Sequence, residues 1–141
     1  MADADHDKMT GGCQCGHVRY ELTAPPRDLY VCHCGECRAQ SASAFGISVI
    51  VDGGDVRLLS GTPSVWTRKA TIGGTLDCHF CPHCGTRLFH GTLAPGEAVS
   101  VKGGTLDVPP DLSGAKHIWT SRKLEGVVIP DHVETWPEEP A

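Results

Sequence analysis

The sequence holds no apolar run near the roughly 20 residues that a membrane-crossing helix needs. Its first ten residues, MADADHDKMT, are acidic and polar and carry no apolar signal core. It also lacks any surplus of positive charge: 12 Lys and Arg stand against 17 Asp and Glu, a formal charge of −5. That balance argues against a nucleic-acid or anionic-membrane surface, which needs clustered cations. Long helical periodicity, internal repeats and low-complexity tracts are missing as well. What remains is a chain expected in the cytoplasm, and 141 residues suffice for one core but not for two.

Glycine and proline, by contrast, are abundant, with 17 and 10 copies. Between these punctuation marks the dominant pattern is alternation. Val18, Tyr20 and Leu22 alternate with Arg19 and Glu21. Phe45, Ile47, Val49 and Val51 fall on one face of a second run, Leu76, Cys78 and Phe80 on one face of a third, and Val99 and Val101 suggest a fourth. Gly53-Gly54, Gly61-Thr62-Pro63, Gly73-Gly74 and Gly103-Gly104 read as turns. Only Glu36–Ser41 is predicted to form a short helical turn. The pattern predicts a mainly β domain over residues 11–136, with a disordered leader at 1–10 and a frayed tail at 137–141.

The eight cysteines fall into tight groups: Cys13-x-Cys15, Cys32-x-Cys34-x-x-Cys37 and Cys78-x-x-Cys81-x-x-Cys84. In a reducing compartment such spacings mark metal or redox sites and not disulfides. A thioredoxin-like redox pair would need a CxxC opening a helix beside a βαβ pattern, and none is visible. Zinc takes four thiolates at about 2.3 Å in a tetrahedron. Cysteines one or two residues apart can both turn inward from a tight loop, with glycine relieving the bend. Cys13-Gln14-Cys15-Gly16 and Cys81-Pro82-His83-Cys84-Gly85 have that form and together would make one closed, structural site.

The middle cluster differs. Cys32, Cys34 and Cys37 can cap one side of a metal and leave a fourth position free, which is what separates a catalytic zinc from a structural one. The competing reading closes the site with a fourth protein ligand. Cys78 is the first candidate, with His79, His83 and His90 behind it, while His33 is expected to orient or hydrogen-bond the loop.

Five segments in order, GGCQCGHVRYEL, CHCGECRAQSASAF, LLSGTPSVW, FCPHCGTRLF and KHIWTS, resemble the glutathione-dependent formaldehyde-activating enzyme family, which includes the centromere protein V group. The resemblance covers about residues 11–136. It implies an Mss4-like fold of small antiparallel sheets with two Zn2+ sites. By matching positions, Cys13, Cys15, Cys81 and Cys84 would hold the structural zinc, and Cys32, Cys34 and Cys37 the catalytic one. Two positions depart from the pattern. Cys78 falls where many relatives carry a basic residue, and Gly126 where a tryptophan is common.

The chemistry so implied is that of a carbon–sulfur lyase: reversible condensation of a small thiol such as glutathione with formaldehyde to give an S-hydroxymethyl adduct. Three cysteinates leave a zinc unit with a net charge of −1, so holding a substrate thiolate is favoured over polarising a carbonyl. Glu36 and His33 are the nearest groups to move the proton. Arg38 is the favoured cation for the carboxylates of glutathione, ahead of Arg68 and Lys69, with Ser41 and Ser43 beside it. Phe45 is expected in the core, and Trp66, Trp119 and Trp136 as core or rim packing. The alternative is a non-catalytic, zinc-stabilised binding module in which both metals are structural; partners are expected to be small molecules, with the oligomeric state left open.

Overall fold

The computed structural model describes residues 9–70 and 73–140. Ten strands among them form two sheets. The smaller is antiparallel and runs β1 (Met9–Gly12), β2 (Arg19–Leu22) and β5 (Val56–Ser60). The larger has the order β10 (Lys116–Ile118), β3 (Asp28–Cys32), β4 (Gly46–Asp52), β9 (Ala98–Lys102), β8 (Arg87–His90), β7 (Thr75–Phe80) and β6 (Ser64–Lys69). Every pairing in it is antiparallel except β10 with β3. Among the described residues one α-helix, α1 (Gly35–Ser41), follows β3. The mainly β expectation holds, and no helix is long and apolar enough to cross a membrane among the described residues.

The predicted alternations become β2, β4, β7 and β9, and the Gly53-Gly54 and Gly103-Gly104 pairs become 3-10 turns. Directly paired residues of a sheet share a face. Following the register, Leu29, Val49, Val101 and Phe89 lie on one face of the large sheet. That face packs on Val18, Tyr20, Leu22 and Val56 to make the core. Phe89 meets Tyr20 edge-on at 5.7 Å, and the Tyr20 hydroxyl reaches Thr105 Oγ1 at 2.7 Å. Each such fully buried side chain contributes about 1.5–3 kcal/mol.

The opposite face is polar. Its row reads Trp66, Cys78, His90, Ser100 and Ile50, and the rows beside it place Lys102 against Ser48 and Cys32 against Gly46. The same alternation that puts Val99 and Val101 in the core therefore puts Ser100 and Lys102 on this second face.

Several expected positions differ. Phe45 is not part of the core; it is half-buried against His33, with ring centroids 5.7 Å apart. Trp66 is 52% exposed because β6 is the edge strand of the large sheet. Residues 1–8 and 141 lie outside the described residues. Met9 and Thr10, expected in the leader, pair with Leu22 and Glu21 in β1. At the other end, Pro137 O and Glu138 O accept backbone hydrogen bonds from Ser121 and Trp119, which holds part of the expected tail against the domain.

Candidate metal centres and the cleft between them

Two hairpin loops bring four cysteines together. The loop after β1 closes with Cys13 N–H donating to Val18 O at 3.1 Å, and the loop after β7 with Cys81 N–H donating to Thr86 O at 2.9 Å. Each turns on a glycine in the left-handed region, Gly16 at φ 83° and Gly85 at φ 80°, where a Cβ would be strained. Gln14 N–H donates to Thr86 Oγ1 at 3.1 Å and ties the loops to each other.

The sulfurs of Cys13, Cys15, Cys81 and Cys84 all lie within 4.8 Å of one another. Cys13 Sγ is 3.6 Å from Cys15 Sγ, and Cys15 Sγ is 3.8 Å from Cys81 Sγ. Disulfide sulfurs would be about 2.05 Å apart. A tetrahedron with metal–sulfur bonds of about 2.3 Å separates them by about 3.8 Å, so the donor set fits such an ion. Donors point at the sulfurs as thiolates require: Val18 N–H at 3.2 Å from Cys13 Sγ and His83 N–H at 3.3 Å from Cys81 Sγ. A hydrogen bond with the Thr86 hydroxyl pulls the Cys84 thiol down to about 5.

The second cluster joins Cys32, at the end of β3, to Cys34 and Cys37 at the start of α1, again with all sulfurs within 4.8 Å. Cys34 caps the helix, its sulfur accepting from Cys37 N–H at 3.3 Å. Hydrogen bonds from Cys32 and Cys37 hold the Cys34 thiol down at about 2, while Cys34 and Cys37 together with burial push Cys32 up. Three sulfurs this close share their protons, and all three ionise together only when a cation offsets the charge. The set therefore also suits a thiophilic ion such as zinc.

Among the described residues, no fourth His, Cys, Asp or Glu joins this cluster. Cys78 is buried on the polar face, its sulfur 3.8 Å from Leu76 O. The His79 ring reaches Gly91 O at 2.9 Å, and His83 stacks on His17 at the first cluster with centroids 3.8 Å apart. His90 is buried beside Cys78 and Ser100.

His33, interleaved between the cysteines, is fully buried, and its Nε2 shares a 2.9 Å hydrogen bond with His117 Nδ1. Burial, then His117, holds the His33 imidazole down at about 4, and burial lowers His117 too. The parallel pairing of β10 with β3 makes this possible, and His33 N–H continues it by donating to Ile118 O at 3.0 Å. Arg38 is used in the same way. Its Nη1 donates to His33 O at 2.8 Å and to Arg122 O at 2.5 Å, so it clamps the loop instead of facing a ligand. Glu36 pairs with Arg68 at 3.5 Å.

A cleft of about 490 Å3 runs between the two clusters. Gln40, Ser43 and Gly46 border it on the side of the second cluster, Thr86 and Arg87 on the side of the first, and Lys102 between them. Gly46 is the contact with the second cluster: a Cβ there would stand 3.5 Å from Cys37 Sγ. Ser43 and Phe45 line the cleft as well, whereas Lys69 does not. Sequence reasoning missed Lys102, Arg87 and His117. The alternation through Val99 and Val101 was the available signal for Lys102. The other two lie in the FCPHCGTRLF and KHIWTS segments, but nothing in those segments assigned them a role.

A sequence profile of the family described as "Glutathione-dependent formaldehyde-activating enzyme" matches residues 8–122. A crystal structure of a Rhodobacter sphaeroides protein, a structural-genomics target, is similar over 91% of this chain and 99% of its own, with a TM-score of 0.52 and 23% identity. At that identity the likeness speaks for the fold alone.

Proposed function

The chain belongs to the glutathione-dependent formaldehyde-activating enzyme family, and on that premise we propose that it is a zinc-dependent carbon–sulfur lyase acting on the adduct of a small thiol with an aldehyde. In the proposal Cys13, Cys15, Cys81 and Cys84 hold a structural zinc, and Cys32, Cys34 and Cys37 hold a catalytic one. The observation that carries it is the contrast between the clusters. One gathers four sulfurs; the other gathers three, with no fourth ligand among the described residues, and Gly46 beside Cys37 borders a cleft that Cys84 of the first cluster also lines. The alternative, a binding module with two closed sites, needs that fourth ligand.

When bound, the metal supplies a positive centre that keeps a substrate thiol ionised near neutral pH. The protein's own residues then set the stage. Cys32, Cys34 and Cys37 fix one side of the centre, His33 and His117 hold the loop rigid from beneath, and Arg38 clamps it to the segment after β10. In the forward direction the substrate sulfur bonds to the aldehyde carbon, the carbonyl electron pair moves to oxygen, and that oxygen takes the proton the thiol gave up. Cleavage is the reverse. The family's name points to glutathione and formaldehyde as the pair. Eight free cysteines also suit the reducing cytoplasm.

The test is exchange spectroscopy of glutathione with formaldehyde in the presence of the zinc-loaded chain. Faster exchange than in buffer, lost in Cys37→Ser while the first zinc stays bound, is the expected result. If the chain neither speeds exchange nor binds any thiol, the binding-module reading replaces this one.

A further inference from the structure

Trp119 alone among the large side chains of the described residues has its backbone in the left-handed region, at φ 55° and ψ 39°. The Cβ of an L-residue crowds the following carbonyl there. Such a conformation persists only where surrounding bonds over-determine it. Here those bonds come from two sides. Toward the second cluster, Ile118 O accepts from His33 N–H at 3.0 Å, the His117 ring meets His33, and Arg122 O accepts from Arg38. The turn at Trp119, continued by the 3-10 turn Thr120–Arg122, is what lets these groups face one loop.

From the other side come residues 134–139. β10 is the last strand of the large sheet, and this segment covers its open edge, with Thr135 opposite His117 in parallel. His117 N–H donates to Glu134 O at 3.0 Å, and His117 O accepts from Trp136 N–H at 2.9 Å. Trp119 N–H donates to Glu138 O at 3.0 Å, and its indole Nε1 to Glu139 Oε1 at 3.1 Å. Thr120 donates to Trp136 O and Ser121 to Pro137 O, each through both its backbone N–H and its hydroxyl. The segment that supports the second cluster is thus held between that cluster's loop and a strap. The family profile ends at residue 122, so the strap lies outside the part of the chain it matches. Among the described residues, no hydrogen bond of the strap reaches the loops of the first cluster.

We infer that residues 134–139 are a positioning strap for the second centre. By holding Trp119 in its left-handed turn they aim His117 and Arg122 O at the loop of Cys32, Cys34 and Cys37, and so set how firmly that loop keeps its metal. The inference rests on the reading of those three cysteines as a metal centre, and not on the reaction proposed for it.

The test follows loss of zinc from the full chain to a chelator. Cys37→Ser, which should keep only the first zinc, identifies the phase of release that belongs to each centre. Trp136→Pro deletes the N–H that bonds His117 O, and should speed release from the second centre about tenfold or more while the first is unchanged. Adding Trp119→Asn to Trp136→Pro should bring the rate back to within about threefold of the native one, because asparagine takes the left-handed turn readily and needs no strap to hold it. A merely supportive strap would show no such recovery, since the exchange removes a large side chain. The inference is overturned if Trp136→Pro releases both metals faster in parallel, releases the second no faster than the native chain, or is made worse by Trp119→Asn. Should Trp136→Pro fail to fold, Thr120→Val combined with Ser121→Ala, which removes only the two hydroxyl bonds to the strap, decides the matter by the same measurements. A native chain that takes up a single zinc overturns the metal reading of Cys32, Cys34 and Cys37 and this inference with it. Two zincs in the native chain with an indifferent Trp136→Pro overturn this inference alone.

Discussion

His33 and His117 stand 84 residues apart in the chain and share a buried hydrogen bond of 2.9 Å, with their rings nearly parallel at 21°. The bond joins the loop bearing three cysteines to the only parallel strand pair of the large sheet. It gives the KHIWTS segment a physical role, fixing from beneath a loop that Arg38 and the His33 N–H bond to Ile118 O hold at its backbone.

Replacing His117 by Ala should therefore loosen the second centre more than the fold. The first zinc should stay bound, while retention of the second falls by about 10- to 100-fold, the usual size of an effect on the groups that orient ligands. Competition with a chelator, read by metal analysis of each fraction, measures it. Equal loss of both metals would mean that His117 merely supports the core.

Cys78→Ser should leave two zincs per chain. Its sulfur belongs to neither cluster, so the cost is that of a buried hydroxyl, about 1–3 kcal/mol of stability. Loss of one zinc, with the fold intact by circular dichroism, would place Cys78 as the fourth ligand and favour the closed module.

Cys81→Ser and Cys37→Ser should behave differently from each other. Cys81 is fully buried and part of the core, where its loop joins β7 to β8, so its loss should unfold the domain as chelation unfolds other small zinc proteins. Cys37 sits outside that core, and its variant should stay folded and carry one zinc. Thermal melts with parallel metal analysis separate the two, and an unfolded Cys37→Ser chain would contradict the assignment.

Acid sensitivity should trace in part to His90. Burial, with Lys102 and Arg87 adding repulsion, holds its imidazole down at about 2, against an ordinary value near 6.5. The unfolded chain takes up a proton below pH 6.5 that the folded chain refuses. Stability is therefore full above that pH and falls below it, by up to about 1.4 kcal/mol per pH unit. In His90→Gln the decline between pH 6.5 and 5 should be shallower, as read by urea unfolding at saturating zinc. A slope identical to that of the native chain would rule the contribution out.

The parts legible in the sequence were local. Cysteine spacing with a glycine after each pair predicted the loops of the first cluster, since Gly16 and Gly85 do take the left-handed turn. Alternation marked β2, β4, β7 and β9 because period two survives wherever one face is buried. It did not reveal which face met the core. Cys78, grouped with Leu76 and Phe80 as apolar, lies on the polar side of the sheet, because its partners there are His90 and Trp66. Arg38 looked like a ligand cation from its place after the cluster, yet two backbone carbonyls occupy it.

The sequence by itself determined that most of the eight cysteines would gather in groups that could hold a metal, because tight spacing on short turns brings neighbouring thiols together. Only the tertiary structure decided the division into four, three and one. It did so through strand register, which sends Cys78 away from the second cluster and carries Lys102 and Arg87 to one cleft from neighbouring strands. Spacing acts over a few bonds, whereas register is set by the pairing of distant strands, and no short stretch of sequence contains it.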